Sequence, residues 1–304
     1  MTKNPLETLV ADMDALFHHD TRKALNEDNL DLCMENMKVA IRDAVDPEHE
    51  ANRSKELMRC SAIGKADRKL KMEQLQMEKH GETIPISVKM RKIFFLGHVF
   101  EELVLMLVRE AGYEVSDEQK EVDIDGVKGH MDGKITKKDS GIEPEVVDVK
   151  SSSTYGMKKY FTGSILDGED PWNYIDQLSA YVEAEEQERG HILAADKTNL
   201  DFALTTVTDM DFINVGGRID QQRAVLASDK MPEPCHKPIP DGKSGNMILQ
   251  KPCTWCEFKH DCFKDANGGA GLRVFDYSNG PRYFTQLVKN PQSHIKEVTD
   301  VKEA

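Results

Sequence analysis

The sequence predicts an α/β fold in which a mixed central sheet is covered by helices. Three observations lead there. From Ile93 onward, segments with apolar residues three and four apart alternate with short runs of strand character. One of those runs, PEVVDVKSSS at 144–153, is β-branched and apolar enough to be buried on both faces. Apolar residues make up 39% of the 304, enough to build a core at this length, while 31% are charged.

Taken in order, residues 1–50 read as a helical arm: LETLVADMDALF and LDLCMENMKVAIRDAV both repeat apolar positions at helical spacing. Residues 53–92 are basic and mostly helical, broken by HGETIP at 80–85. IFFLGHVFEELVLMLVREAG at 93–112 is a helix apolar around most of its circumference, ended by Gly112 in a left-handed cap. Strands follow at 113–115 (YEV), 127–136 (VKGHMDGKIT) and 144–153. PWNYIDQLSAYVEAEEQE is a helix with Pro171 near its start. HILAADK and DFALTTVT are two further strands, and DFINVGGRIDQQRAVLAS is partly helical. Beyond Met231 the chain is rich in proline, glycine and cysteine, and after Cys262 it reads as polar and irregular. The expected divisions are a helical arm over 1–52, a central domain over 53–265 and a tail over 266–304.

The net charge of −14 speaks against a protein that coats nucleic acid indiscriminately. The charge is uneven, however. Residues 1–50 hold 12 acidic and 5 basic side chains, whereas residues 53–72 hold 7 basic and 2 acidic, which leaves a basic surface available for phosphates. No run of about 18 apolar residues spans a bilayer, and the first twenty residues lack the basic and apolar regions of a secretory signal. The expectation is an intracellular, cytoplasmic protein without a membrane partner.

Candidate chemistry centres on Asp148-Val149-Lys150. Residues two apart on a strand share a face, so the carboxylate and the ammonium lie side by side while Val149 packs on the other side. By itself this also fits an edge strand carrying a solvated ion pair. Asp132, in GHMDG, sits between glycines that permit close backbone approach, and the same pattern fits an Asp-Gly turn. Glu101 lies on the apolar helix, where a carboxylate needs a partner or a metal. Glu102, about 100° around the helix, competes with it. Gln177 and Tyr181 share a face of the next helix. Converging carboxylates beside a lysine suit Mg²⁺ or Mn²⁺, which take oxygen ligands and activate phosphodiester hydrolysis.

The order Gly97-x3-Glu101, Gly129-x2-Asp132, Asp148-x-Lys150, Gln177-x3-Tyr181 resembles the PD-(D/E)xK nuclease superfamily, and within it the RecB-like branch, over roughly residues 93–185. Many members carry histidine where Glu101 stands, a departure that bears on metal preference. The resemblance implies a restriction-endonuclease-like core and a metal-dependent DNA exonuclease. It implies that Glu101, Asp132, Asp148 and the Val149 carbonyl bind Mg²⁺ or Mn²⁺. It implies that Lys150 orients the attacking water and stabilises developing charge, and that Gln177 and Tyr181 position the DNA strand. Single-stranded ends are the expected substrate, with Tyr155, Tyr160 and Trp172 available for stacking and a helicase or recombination protein as a partner. The alternative is a nuclease-fold subunit that holds DNA and cuts little.

Cys253-x2-Cys256-x5-Cys262 places three thiols in ten residues, in a chain with six cysteines. Clustered cysteines in a reducing setting read as metal ligands. The set is similar to that of RecB-like nucleases with an iron–sulfur cluster, the AddB nuclease domain and CRISPR-adaptation exonucleases among them, which extends the resemblance over about residues 55–265. It implies Cys60 as the fourth ligand, with Cys235-His236 as its rival, and a [4Fe–4S] cluster with structural zinc as the alternative. The centre would act as a staple between distant segments. Cys33, on a helix, reads as a buried apolar residue.

Overall fold

The structure is a computed structural model that describes residues 4–46, 56–81 and 88–298. The expected boundary at 52/53 and most of the HGETIP break lie outside them. The elements in chain order are α1 (Leu9–Ala15), α2 (Glu27–Val45), α3 (Asp67–His80), α4 (Val88–Glu110), β1 (Tyr113–Ser116), β2 (Glu121–Ile124), β3 (Val127–His130), β4 (Gly133–Lys137), β5 (Glu145–Ser152), α5 (Thr154–Phe161), α6 (Tyr174–Ala184), β6 (Arg189–Asp196), β7 (Phe202–Thr208), α7 (Val215–Ala227), β8 (Ile239–Pro240), β9 (Met247–Ile248), α8 (Lys251–Thr254), α9 (Lys259–Cys262), α10 (Ala266–Gly269), β10 (Arg273–Tyr277) and β11 (Gly280–Gln286). They fall into two compact units, the first made of residues 1–64 and 88–222, the second of residues 65–87 and 223–304.

The first unit is the mixed α/β fold that the sequence predicts. Its sheet has the order β1-β4-β5-β6-β7, with β5 and β6 parallel and the other pairs antiparallel. Side-chain alternation along the central strands separates two apolar layers. Val147 and Val149 of β5 pack with Leu193 and Ala195 of β6 against Leu6, Leu9, Met13 and the Val104–Val108 turn of α4. Val146, Ile192 and Ala194 face the other way, onto Met157, Tyr160, Leu178 and Tyr181 of α5 and α6. Helices thus cover both faces of a buried central strand.

Several elements differ from expectation. The run 127–136 is not one strand: β3 and β4 are separated at Met131–Asp132, and β3 pairs with β2, which the sequence reading missed, through a hairpin at Asp125-Gly126. α5 was also missed; Ser153 caps it, its Oγ accepting the Gly156 amide at 3.2 Å. Pro171 precedes α6, whose cap is Asn173. α4 does not bury its apolar residues throughout: Val104 to Val108 are buried, but Ile93, Phe94 and Leu96 are exposed.

The second unit has its own four-stranded antiparallel sheet, β10-β11-β9-β8. The expected irregular tail is therefore corrected over 273–286, where β10 and β11 form a hairpin. Phe275 and Phe284, both buried, meet edge to face at 5.3 Å and give this sheet its core. Of the basic surface expected from 53–72, Arg59 is exposed, while the basic residues from Lys65 to Lys71 are engaged within the second unit. Lys65 pairs with Glu73 and Lys69 with Glu257, Lys71 is buried and donates to Gln74 and the Leu226 carbonyl, and Arg68 donates to the Pro232 carbonyl.

Candidate active site

The site lies in the first unit, where β5 meets the break between β3 and β4. β4 pairs with β5 from Ile135 opposite Glu145 to Gly133 opposite Val147, where the ladder stops. The next β5 amide on that side, Val149, has no strand partner there. Asp132, just before β4, supplies one: its Oδ2 accepts the Val149 N–H at 2.7 Å. Amide and carbonyl of one strand residue point to the same side, so the Val149 carbonyl opens toward this edge too.

Asp148 and Lys150 share the opposite face of β5, as predicted. Asp148 is fully buried, and its Oδ2 lies 2.6 Å from Lys150 Nζ. The Lys150 ammonium meets Oδ2, while Oδ1 is buried without a hydrogen-bond donor among the described residues. Burial raises the Asp148 carboxyl to about 7, with Lys150 opposing and Asp132 adding to the rise. Burial likewise raises Asp132 to about 7, reinforced by Glu101 and opposed by Lys150 and the Val149 amide. Burial acts to lower Lys150, but Asp148 and Asp132 outweigh it and hold the ammonium above its ordinary value. Lys150 also lies 5.0 Å over the Tyr174 ring.

Glu101 and Glu102 are separated by their partners. Glu101 acts electrostatically on Asp132, accepts Gln119 Nε2 at 2.7 Å and lies 3.6 Å from His98 Nδ1. Glu102 turns to α2, where Asn36 donates to it at 2.8 Å. Of the two, Glu101 is the one whose charge acts on Asp132.

Gln177 and Tyr181 are brought together and pinned to the same place. Gln177 Nε2 donates to the Tyr181 hydroxyl at 2.9 Å, and that hydroxyl donates to the His130 carbonyl at 2.8 Å. Tyr181 is only 2% exposed. The pair thus braces the segment that presents Asp132. Gly129 explains how close this packing is: a Cβ there would come within 2.6 Å of Cys60 Cβ and 3.0 Å of the Tyr181 ring.

Four further residues complete the surroundings, of which Tyr174, Asp170 and Gln119 were not singled out from the sequence. Tyr174, Lys159 and Asp170 line the approach to Lys150: Lys159 Nζ lies 5.0 Å over the Tyr174 ring, and the Asp170 carboxylate raises Asp148. Gln119 holds Glu101. Only Tyr174 carried a signal, being one turn before Gln177. Of the aromatic residues expected to stack on bases, Tyr155 and Trp172 are exposed and Tyr160 is buried.

The donor set suits a hard divalent cation. The Glu101 charge raises Asp132, the Asp132 charge raises Asp148, and Asp148 Oδ1 is buried without a donor among the described residues, so added positive charge is the natural compensation. Among the described residues no three histidine, cysteine, aspartate or glutamate side chains already enclose a position for an ion.

The expected metal-binding cysteines divide between the units. Cys60 belongs to the first, where it is buried and its thiol points at the Val127 carbonyl, 3.6 Å away. Cys253, Cys256 and Cys262 belong to the second, on and around α8 and α9. Cys33 is buried against α4, as expected. No described helix is long and apolar enough to cross a membrane.

No family model matches the chain, and no curated protein does. Among solved structures, SSO0001 has a TM-score of 0.39 at 11% identity, covering 76% of this chain and 94% of its own. The alkaline exonuclease LHK-Exo from Laribacter hongkongensis has a TM-score of 0.35 at 16% identity, covering 55% of this chain and 88% of its own. A phage-related exonuclease from Haemophilus somnus 129PT has a TM-score of 0.39 at 13% identity, covering 56% and 91%.

Proposed function

We propose that the first unit is a divalent-metal-dependent DNA nuclease of the PD-(D/E)xK type. The observation that supports it best is the state of Asp148. A carboxylate placed only for packing would have its lone pairs satisfied. Asp148 is fully buried, its Oδ2 is met by Lys150 and its Oδ1 has no donor among the described residues, with Asp132 and Glu101 acting on the same region.

In this reading Asp148, Asp132, Glu101 and the Val149 carbonyl hold Mg²⁺ or Mn²⁺, which supplies charge neutralisation at the phosphate and a lowered pKa for bound water. Asp132 has two tasks, since the oxygen that takes the Val149 amide also fixes where its carboxylate sits. Lys150 remains protonated, held so by Asp148 and Asp132. It therefore serves as a fixed positive charge that orients the nucleophile and stabilises the phosphoryl oxygens, rather than as a base. Tyr181 and Gln177 act from behind, keeping His130–Asp132 in register with β5.

Single-stranded DNA ends are the proposed substrate. Tyr155 opens α5 immediately after the strand that carries Lys150, and Trp172 stands two residues before Tyr174. Both rings are exposed and can take bases without reading sequence. The thiols Cys253, Cys256 and Cys262 are proposed as a structural metal centre, either an iron–sulfur cluster or zinc. A reducing intracellular setting and a helicase or recombination partner belong to the same reading.

The test is degradation of end-labelled single- and double-stranded DNA with Mg²⁺, Mn²⁺ or EDTA. Metal-dependent loss of label from single-stranded ends is expected. Tight DNA binding without cutting under any metal would replace the nuclease with a DNA-holding subunit.

A further inference from the structure

The cysteines that the proposed nuclease site does not use raise the question of which thiol completes the group at 253–262. We infer that it is Cys235, so that Cys235, Cys253, Cys256 and Cys262 form a four-thiolate metal site contained within the second unit. This rests on the thiolate-centre part of the proposed function and departs from the assignment of Cys60.

Cys60 is fully committed to packing. It is completely buried in the same core cluster as Val122, Val127 and Tyr181. Its thiol is directed at the Val127 carbonyl, and its Cβ and Sγ fill the space that Gly129 leaves open, at 2.6 and 2.8 Å from where a side chain would begin. Burial pushes the thiol up to about 11, and Asp123 pushes it the same way. That is the setting of a small apolar side chain, with a carbonyl to receive its proton.

Cys235 is fastened toward the other three from both sides. Downstream, Ile239 pairs with Ile248 and Pro240 with Met247, and Gln250 Nε2 donates to the Lys237 carbonyl at 2.9 Å. Gln250 in turn caps α8, its carbonyl accepting the Cys253 amide at 3.0 Å. Upstream, one guanidinium joins the two segments: Arg68 donates to the Pro232 carbonyl at 2.6 Å and to Cys262 Sγ at 3.4 Å. Burial raises the Cys253 thiol to about 11, and the thiols of Cys256, Cys235 and Cys262 are all near enough to raise it further. Nearby cations suit a site that must hold several thiolates, with Arg68 on Cys262 and Lys69 acting on Cys256. Cys235 is exposed on an irregular segment, so its side chain can turn inward without displacing a helix or strand.

Each thiol gives up its proton as it binds, and four thiolates accept either zinc or an iron–sulfur cluster. The arms of the test separate the two. The full-length chain is purified without oxygen from cells supplied with iron and zinc. Iron, acid-labile sulfide, zinc and visible absorption are then measured per chain for the parent and for Cys235→Ser, Cys253→Ser, Cys60→Ser and Cys60→Ala. After a chelator challenge, Cys235→Ser and Cys253→Ser are expected to hold at least about tenfold less metal than the parent, while both Cys60 variants retain it. Alkylation of the native parent, read by mass spectrometry, covers the case in which Cys60 variants do not fold. Cys235 should resist the reagent in loaded protein and react once the metal is stripped. Metal loss in the folded Cys60 variants, retention in Cys235→Ser, or a reactive Cys235 in loaded protein would overturn the assignment. A parent that carries neither iron nor zinc would instead remove the thiolate centre itself.

Discussion

Asp132 accepts the Val149 amide at 2.7 Å at the point where the β4–β5 ladder ends. One carboxylate oxygen thereby replaces a strand and ties the break after β3 to the strand that carries Asp148 and Lys150. This contact separates two roles. Asp132→Asn keeps an oxygen for the amide but loses the charge, so its urea midpoint should stay near the parent's while Mn²⁺ affinity falls at least about tenfold. Asp132→Ala strands the amide as well and should cost a further 1–3 kcal/mol or about that in urea unfolding. Equal stability in the two variants would show that the Val149 contact contributes nothing.

The carboxylates make metal binding depend on pH. Asp148 and Asp132 are raised from 3.8 to about 7, so the fold binds their protons more tightly than the unfolded chain does. In metal-free protein their contribution to stability is full below 3.8 and is lost as pH rises toward 7. A cation must displace those protons. Mn²⁺ affinity should therefore climb as pH rises to about 7, by about tenfold per unit for each proton released, and level off above it. Calorimetric titration from acid to mildly alkaline pH checks this, and an affinity flat across that range would contradict it.

Tyr181→Phe removes the hydroxyl that holds the His130 carbonyl and receives Gln177. The expected stability loss is about 1 kcal/mol. The expected loss of cleavage rate is larger in proportion, about tenfold or more, because the segment presenting Asp132 loosens. The comparison of melting curves with single-turnover rates decides it: a rate unchanged by the substitution would remove the bracing role.

Gly129→Ala should destabilise the first unit by about 1–3 kcal/mol through overpacking against Cys60 and Tyr181. Chemical denaturation is the measurement, and a neutral effect would mean that the Cys60 packing gives way easily.

β5 was legible because one continuous run carried its whole signal: an apolar stretch interrupted on one face by Asp148 and Lys150. α4 was legible where it is buried, at Val104–Val108, and misleading at Ile93–Leu96, where the same apolar pattern faces outward. The break at Asp132 was only half legible, since GHMDG fits both an alternating strand and an Asp-Gly turn. It opens because a tertiary partner, the Val149 amide, takes the aspartate. The choice of Glu101 over Glu102 likewise depended on what stands opposite each, Asp132 for one and Asn36 for the other. The β10–β11 hairpin was hidden because arginine, aspartate, glycine and proline interrupt its apolar positions, and its pairing is secured by Phe275 against Phe284, nine residues apart. The three clustered thiols were visible as a group, whereas spacing alone left both Cys60 and Cys235 open as their fourth partner.

The central claim rests on Lys150 as the fixed charge beside Asp148. The most direct measurement is single-turnover cleavage of end-labelled single-stranded DNA at saturating Mn²⁺ by the parent and by Lys150→Ala, with DNA binding measured alongside. The account predicts that binding is largely retained and that the cleavage rate falls by at least about a hundredfold. Cleavage at the parent's rate by folded Lys150→Ala would contradict it.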